Sequence, residues 1–239
     1  MDDAAFSCGG TLARLAAAGW DVTVCTAFTL SVANPSGFAL ACQLDKGLPP
    51  EADYMAIRRA EDVEACRCLG ARPLWLPFPE APHRGYGDAH ALFGPVRAED
   101  AVEERLADAL TTVLAPRPDL VLAPQAVGGH VDHVQLVRAL RRALPDAVPV
   151  LWWTDFPYTM RADRHLARPF ALSMARLPEH AVAGDAAARY KACAAYVTQV
   201  GFQFGGREGL ARALTEAGSV ERLRLEGTVS ELPGAVTAV

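Results

Sequence analysis

Along the first 150 positions, short runs of apolar residues alternate with segments in which apolar residues recur at helical spacing. This pattern predicts alternating strands and helices. Short apolar runs, typical of buried strands, occupy positions 21–26, 73–76, 119–123 and 148–153. Apolar residues at helical spacing occupy the segments between them, at 8–18, 54–69, 99–114 and 134–144. This alternation is typical of an α/β fold, a Rossmann-like and mostly parallel sheet with helices on both faces.

The pattern weakens after Tyr158, where we predict strands and helices that are shorter or less regular. The predicted strands are 170–174 and 220–225, and the predicted helices are 185–200 and 210–217. Two long stretches rich in proline and glycine, 28–53 and 77–97, are predicted to be loops. Loops of this length usually have a function, so we expect both to rim a binding pocket and to set substrate choice.

Candidate chemistry is concentrated in the stretch 123–144. His130, Asp132 and His133 follow an apolar strand, come after Gly128-Gly129 and stand at the start of an amphipathic helix. Ligands bind at this edge of open α/β sheets, and imidazole is a common metal ligand. The alternative is a chance His-x-x-His with an aspartate that only caps the helix.

Composition narrows the function classes. The chain has 239 residues, of which 51% are hydrophobic and 21% are charged, as expected for a globular protein with an ample core. The net charge is −5 without a basic stripe, which argues against a nucleic acid partner. The sequence contains no run of about 18 apolar residues, so no membrane span is predicted. Six scattered cysteines without a Cys-x-x-Cys pair suit a reducing, cytoplasmic location.

Several motifs, in order along the chain, resemble those of the PIG-L/LmbE-like N-deacetylases. Asp2-Asp3 and the run CGGTLA at 8–13 resemble the family's opening, in which a strand ends in His-Pro-Asp-Asp-Glu before a Gly-Gly-Thr-Leu-Ala helix. His130-Val131-Asp132-His133 is similar to the family's His-x-Asp-His motif. Further similarities lie in the helix around Arg58, in the turn Asp155-x-Pro157-Tyr158 and in the segment 191–206. The resemblance implies one PIG-L/LmbE-like domain over residues 1–239.

The resemblance also implies roles for seven residues. Asp3 and His133 would be zinc ligands, and Asp2 would be the general base. His130 would stabilise the oxyanion or protonate the leaving amine, and Asp132 would orient His130 or tune its charge. The substrate would contact Arg58 and Tyr158. Without the resemblance, Asp2 and Asp3 are read as an ordinary acidic start, Arg58 as part of a solvated helix face, and Tyr158 as core.

The sequence departs from the family pattern at its start. Met1 stands where the family has proline, so the preceding histidine, which is the first zinc ligand, is absent together with the opening strand. We therefore expect the natural protein to begin upstream, and zinc or another divalent metal to bind weakly or not at all to this chain.

The predicted function is a zinc-dependent N-deacetylase acting on an N-acetylglucosamine-type or natural-product substrate. The alternative is a catalytically impaired or non-enzymatic relative that binds a small molecule. The oligomeric state, including a homo-oligomer, stays open. If the prediction is right, Asp2, Asp3, His130, Asp132 and His133 converge at the carboxyl edge of the sheet. Asp3 and His133 must then lie within about 10 Å of each other, because zinc bonds are near 2 Å long.

Overall fold

Two separate sheets form the β structure of this computed structural model, which describes residues 1–160 and 166–236. The strands are β1 (Thr23–Thr26), β2 (Arg72–Trp75), β3 (Val121–Pro124), β4 (Val150–Trp153), β5 (Glu179–Ala183), β6 (Val220–Glu226) and β7 (Ala235–Val236). Strands β1 and β2 pair with each other, and the second sheet has the order β3-β4-β6-β5-β7. The α/β prediction is confirmed.

Parallel pairing is confined to the first four strands. Strand β1 is parallel to β2, and β3 is parallel to β4, as the alternation of strands and helices predicts. The three strands that follow are antiparallel to their neighbours, so the mostly parallel sheet that we predicted holds for the first part of the chain alone. Strand β6 was predicted at 220–225, whereas β5 and β7 were missed.

The helices among the described residues are α1 (Asp3–Ala17), α2 (Gly37–Leu44), α3 (Tyr54–Leu69), α4 (Val102–Val113), α5 (Val131–Ala143), α6 (Ala171–Met174), α7 (Ala186–Ala195), α8 (Val197–Phe204) and α9 (Arg207–Ala217). Three predictions need correction. Residues 171–174 form helix α6 and not a strand; the single helix predicted at 185–200 is broken at Tyr196; and the loop 28–53 contains α2. No helix of the described part is long and apolar enough to cross a membrane.

Strand β4 separates two hydrophobic cores, because alternate residues of a strand point to opposite faces. Leu151 and Trp153 belong to a core that also contains residues of α1, α3 and α7. Val150 and Trp152 belong to a second core with residues of α4 and α5. All four side chains of β4 are buried. Helices therefore cover both faces of the sheet, as predicted.

Helix α1 consists of two segments joined at Cys8, whose φ of −141° is not helical. The second segment begins at Gly9-Gly10-Thr11, and its first backbone N–H groups need acceptors. Glu221 of β6 supplies them: the Gly10 and Thr11 N–H groups and the Thr11 hydroxyl all donate to its carboxylate, at 2.9, 2.6 and 2.5 Å. Gly10 also packs against Gly184, where an added Cβ would lie 2.9 Å from the Gly184 Cα.

Candidate active site

A cavity of about 540 Å³ opens where the parallel strands end. Thr26 of β1, Pro124 of β3 and Trp153 of β4 lie in its wall, each at the carboxyl end of its strand. The seven predicted site residues all line it: Asp2, Asp3, Arg58, His130, Asp132, His133 and Tyr158. They come from four separate parts of the sequence, and the fold gathers them at the carboxyl ends of the parallel strands, where α/β proteins bind ligands.

Asp3, His133 and Asp155 form a chain of two polar contacts. Asp3 Oδ1 lies 3.1 Å from His133 Nε2, and Asp155 Oδ1 lies 2.7 Å from His133 Nδ1. The Val127 N–H donates to the other Asp155 oxygen at 2.8 Å, which holds the carboxylate beside His133 Nδ1. The predicted approach of Asp3 to His133 within about 10 Å is therefore confirmed, and Asp155 orients the imidazole.

The two carboxylates control the protonation of this imidazole. Burial favours a neutral ring, but Asp3 and the hydrogen bond to Asp155 outweigh burial and hold the pKa of His133 well above its usual range. Burial likewise opposes the ionisation of Asp3, yet His133 outweighs it and holds the pKa of Asp3 far below its usual range. This environment stabilises the protonated form of the His133 ring and the ionised form of Asp3.

His130 has the opposite electrostatic character. Burial lowers its pKa to about 4, so the ring is neutral at pH 7. As the N-cap of α5, His130 accepts the Asp132 N–H on Nδ1 at 3.2 Å. A neutral ring that accepts on Nδ1 carries its proton on Nε2. His130 can therefore donate one hydrogen bond from Nε2.

Asp2 is buried and held by two donors from distant parts of the chain. Arg58 Nη2 donates to Oδ1 and Gln203 Nε2 donates to Oδ2, both at 2.9 Å. Although Asp2 occupies the N-cap position of α1, its side chain makes no capping bond. The ordinary interpretation as a frayed acidic start is therefore wrong for Asp2, which is 5% exposed.

Arg58 joins this carboxylate to a second one. Its Nη1 donates to Glu80 Oε1 at 2.5 Å, and its guanidinium lies over the Tyr54 ring at 5.5 Å from the centroid. Arg58 is 5% exposed, so it does not belong to a solvated helix face. Its contact with substrate stays a prediction, because Asp2 and Glu80 already engage both terminal nitrogens.

Asp132 contacts a second arginine. Arg84 Nη1 lies 2.8 Å from Asp132 Oδ1, and the Ala81 N–H donates to Oδ2 at 3.3 Å. The same guanidinium bonds Asp100 at 3.0 Å. Asp132 touches His130 through its backbone N–H, so its side chain anchors the loop 77–97 against α5. Its predicted effect on the charge of His130 stays a prediction.

Aromatic rings enclose the two histidines. The Phe93 ring meets His130 edge to face at 5.3 Å, and the Tyr158 ring meets His133 in the same way at 5.6 Å. Phe93 and Tyr158 also contact each other at 5.8 Å. These rings reduce the access of water to the imidazoles and form an apolar wall beside them.

The long loops contribute much of the cavity wall, as predicted from their length. From 28–53 come Phe28, Phe38, Cys42, Asp45 and Lys46; from 77–97 come Glu80, Pro82, Ala89, Leu92 and Phe93. Their proposed effect on substrate choice stays a prediction.

Sequence reasoning missed four residues that support the site: Glu80, Arg84, Asp155 and Gln203. The sequence does indicate Asp155, since it begins the Asp-x-Pro-Tyr turn, but within that turn a role was predicted for Tyr158 alone. Glu80 and Arg84 lie in a loop of weak pattern, where charged residues are normally on the surface. Gln203 lies on α8, in a largely apolar sequence that gives no indication of a partner on Asp2.

Two of the site's side chains have the chemistry of metal ligands. Asp3 and His133 offer a carboxylate and an imidazole to one position, and Asp155 bonds the far side of that imidazole, an arrangement common at zinc sites. A divalent cation would replace the proton on His133 Nε2, because a histidine must lose that proton to bind a metal. Among residues 1–160 and 166–236, however, no group of three or more His, Cys, Asp or Glu side chains has metal-binding geometry. The described residues therefore supply two metal ligands at this position, Asp3 and His133.

Comparison with known proteins supports the resemblance noted in the sequence. The family model described as PIG-L, GlcNAc-PI de-N-acetylase, matches residues 1–144. The chain is 38% identical over 169 residues to 2'-N-acetylparomamine deacetylase of Streptomyces fradiae. That alignment covers 68% of this chain and 56% of the relative, so the chain spans little more than half the length of the curated relative.

Solved structures share the fold over nearly the whole chain. The A40926 pseudoaglycone deacetylase is 28% identical with a TM-score of 0.76, and the alignment covers 96% of this chain and 95% of that one. The zinc-inhibited form of teicoplanin deacetylase is 22% identical with a TM-score of 0.77 and 96% coverage of both chains. The motifs, the fold and the family match agree: the chain belongs to the PIG-L family.

Proposed function

We propose that this protein is an N-deacetylase that hydrolyses the acetamide of an N-acetylglucosamine-type sugar in a natural product. The observation that carries the proposal is the meeting of Asp2, Asp3, His130 and His133 in one cavity at the carboxyl edge of the sheet. The name of the curated relative supports the reaction, since it is a deacetylase of an N-acetylated compound.

Amide hydrolysis requires a base for the attacking water, a donor for the oxygen that becomes negative, and a proton for the leaving amine. Asp2 is the base in this proposal, and Arg58 and Gln203 hold its two oxygens in fixed directions. His130 is neutral with its proton on Nε2, so it donates to the acetamide oxygen as negative charge develops there. Its low pKa favours this role over that of an acid for the leaving amine, so the proton that Asp2 takes from the attacking water is the one returned to that amine.

Asp3 and His133 are the residues that would hold a divalent metal such as zinc. A metal bound there would supply a Lewis acid to amide hydrolysis. Asp155 would hold the His133 ring in one orientation and keep its Nε2 directed at the position beside Asp3. Phe93 and Tyr158 restrict water at the imidazoles, which strengthens the hydrogen bonds that these rings make.

The test is acetate release by the purified full chain. N-Acetylglucosamine glycosides and 2'-N-acetylparomamine are offered with and without added zinc, and both acetate and the new primary amine are quantified. We expect equal amounts of the two products. The variant His133→Ala should abolish release, whereas His180→Ala, which changes a histidine of β5 that does not line the cavity, should leave it unchanged.

Binding of these compounds without acetate release, at any zinc concentration, would contradict hydrolysis. It would favour the alternative, a relative that binds a small molecule without turning it over. Equilibrium binding by calorimetry separates the two results, because it requires no reaction.

A further inference from the structure

The wall of the cavity formed by α2, α3 and α8 contains a lysine in an unusual setting. The sequence has two lysines, Lys46 and Lys191, and the first lines the cavity. Its Nζ donates to the Cys42 carbonyl at 2.8 Å and lies over the Phe202 and Tyr54 rings at 4.6 and 5.6 Å from their centroids. Within the described residues, no carboxylate oxygen lies within 4.0 Å of Lys46 Nζ.

The backbone around Lys46 is fixed. The Lys46 N–H donates to the Gln43 carbonyl at 3.1 Å, at the end of α2. The buried Gln43 side chain donates to the carbonyls of Pro49 and Ala52 at 2.5 and 3.2 Å and closes the turn that contains Lys46. The ammonium is therefore held at the cavity wall by a rigid turn and two rings.

The opposite side of this subsite is helix α8, which is also held in place. Glu61 of α3 accepts the Thr198 N–H at 2.7 Å and the Thr198 hydroxyl at 2.8 Å, which satisfies donors in the first turn of α8. One turn further on, Phe202 is 56% exposed and Gln203 bonds Asp2. Phe202 is thus an exposed aromatic platform adjacent in sequence to a residue that holds the proposed base.

A series of contacts connects this subsite to the histidines. Lys46 contacts Tyr54, Tyr54 contacts Arg58, Arg58 bonds Asp2, and Asp2 is followed by Asp3, which contacts His133. All of these residues line the one cavity, so an N-acetylated sugar at His130 and His133 and the group attached to it would share that cavity with Lys46 and Phe202.

We infer that Lys46 and Phe202 form an outer subsite that selects the group attached to the N-acetylated sugar. Two donors of the ammonium are left after its bond to Cys42, so they bind acceptor oxygens, and Phe202 stacks on the ring that carries them. The favoured class is a glycoside whose attached group presents hydroxyl or carboxylate oxygens. An attached group that carries ammonium charges is disfavoured by repulsion from Lys46. This inference rests on the proposed deacetylase function for the placement of the acetamide.

The test compares three probes that share the N-acetylated sugar. They are methyl N-acetylglucosaminide, which is small and neutral; N,N'-diacetylchitobiose, whose second sugar is neutral and oxygen-rich; and 2'-N-acetylparomamine, whose attached ring carries amines. Kd and kcat/KM are measured for the wild type, Lys46→Met, Lys46→Glu, Phe202→Ala and the control Lys191→Met, whose lysine is exposed on α7.

We expect Lys46→Met to weaken binding of the disaccharide by about tenfold, because a hydrogen bond to a charged donor is lost, with little change for the methyl glycoside. Lys46→Glu should reverse the preference in favour of the amine-bearing probe. Phe202→Ala should weaken binding of the disaccharide, and Lys191→Met should behave as the wild type.

An unchanged ranking of the three probes in both Lys46 variants would overturn the outer subsite, as would failure of all three to bind. Because Kd is measured independently of turnover, the two proposals fail separately. Altered ranking without acetate release would support the subsite and contradict the deacetylase function. Acetate release with an unaltered ranking would support the deacetylase function and contradict the outer subsite.

Discussion

Two of the buried carboxylate clusters use similar residues for different purposes. In the first, Asp2 is bonded by Arg58 and Gln203 at the wall of the cavity. In the second, Glu221 is bonded by Gly10 and Thr11, with Arg189 Nε at 3.5 Å, and none of these four lines the cavity. Both clusters tie the amino-terminal segment to distant parts of the chain.

The two clusters differ in whether the carboxylate adjoins the open cavity, and not in their charge. A buried ionised group needs partners wherever it lies, so burial and ion pairing alone do not identify an active site. The Glu221 carboxylate is occupied by donors of one helix start and is sealed by the close approach of Gly10 and Gly184. The Asp2 cluster adjoins open volume and two histidines of opposite protonation, which is the combination that chemistry requires.

The largest effect should come from Glu221. Replacing it by leucine leaves the N–H groups of Gly10 and Thr11 without an acceptor and Arg189 without its carboxylate, so we expect a loss of about 3–5 kcal/mol in the free energy of unfolding. Urea denaturation measures it. Burial raises the pKa of Glu221, so the neutral Glu221→Gln, which keeps an acceptor oxygen, should cost less.

Activity separates this cluster from the other. Glu221→Gln should retain acetate release per folded molecule, because its residues do not line the cavity. A loss of activity at full folding would show that the second cluster also takes part in the reaction, and the contrast between the two would be wrong.

The next effect concerns His130. We expect His130→Asn to lower kcat by about 10²–10³-fold, the usual consequence of removing one donor to a developing oxyanion. Asparagine is itself a favourable N-cap, so the start of α5 and the melting temperature should be preserved. Steady-state kinetics and a thermal scan on the same sample check both. A fall in melting temperature that accounts for the lost activity would show that His130 serves only as the N-cap of α5.

The smallest of the three effects concerns Asp155. Asp155→Asn keeps the size of the side chain but removes the carboxylate that orients His133, and we expect a 10- to 100-fold decrease in kcat/KM. The affinity for added zinc, followed by calorimetry, should decrease by a similar factor. Unchanged zinc affinity and unchanged kcat/KM would show that the Val127 and His133 contacts of Asp155 serve the fold alone.

The fold was predictable where the pattern was local. Strands β1 to β4 and helices α3 to α5 have clear periods, and all were expected close to their observed positions. Pairing direction after β4 was not predictable, because β5 and β7 were not recognised as strands, and β6 runs antiparallel to both of its neighbours, β4 and β5. The break at Tyr196 was also not predictable: the Tyr196 hydroxyl donates to Asp62, 134 residues away, and no local pattern encodes that contact.

The site was predictable through its motifs and not through its supports. The pattern around 130–133 placed two histidines at a strand end, and the resemblance to the family added Asp2 and Asp3. Their partners depend on contacts between distant segments, such as that of Gln203 with Asp2, and no local pattern encodes these. Opposite protonation of His130 and His133 was equally inaccessible, because it depends on which carboxylates each ring meets in the folded chain.

Strand β4 constrains how this protein can change during evolution. Its four side chains alternate between two cores, so insertion or deletion of one residue would exchange their faces and disrupt both cores at once. The loops 28–53 and 77–97 have no such constraint, and they supply the variable part of the cavity wall. Length changes should therefore accumulate in these loops away from Glu80, Arg84 and Phe93, which contact Arg58, Asp132 and His130, and there they would alter substrate choice without disturbing the residues proposed to carry the reaction.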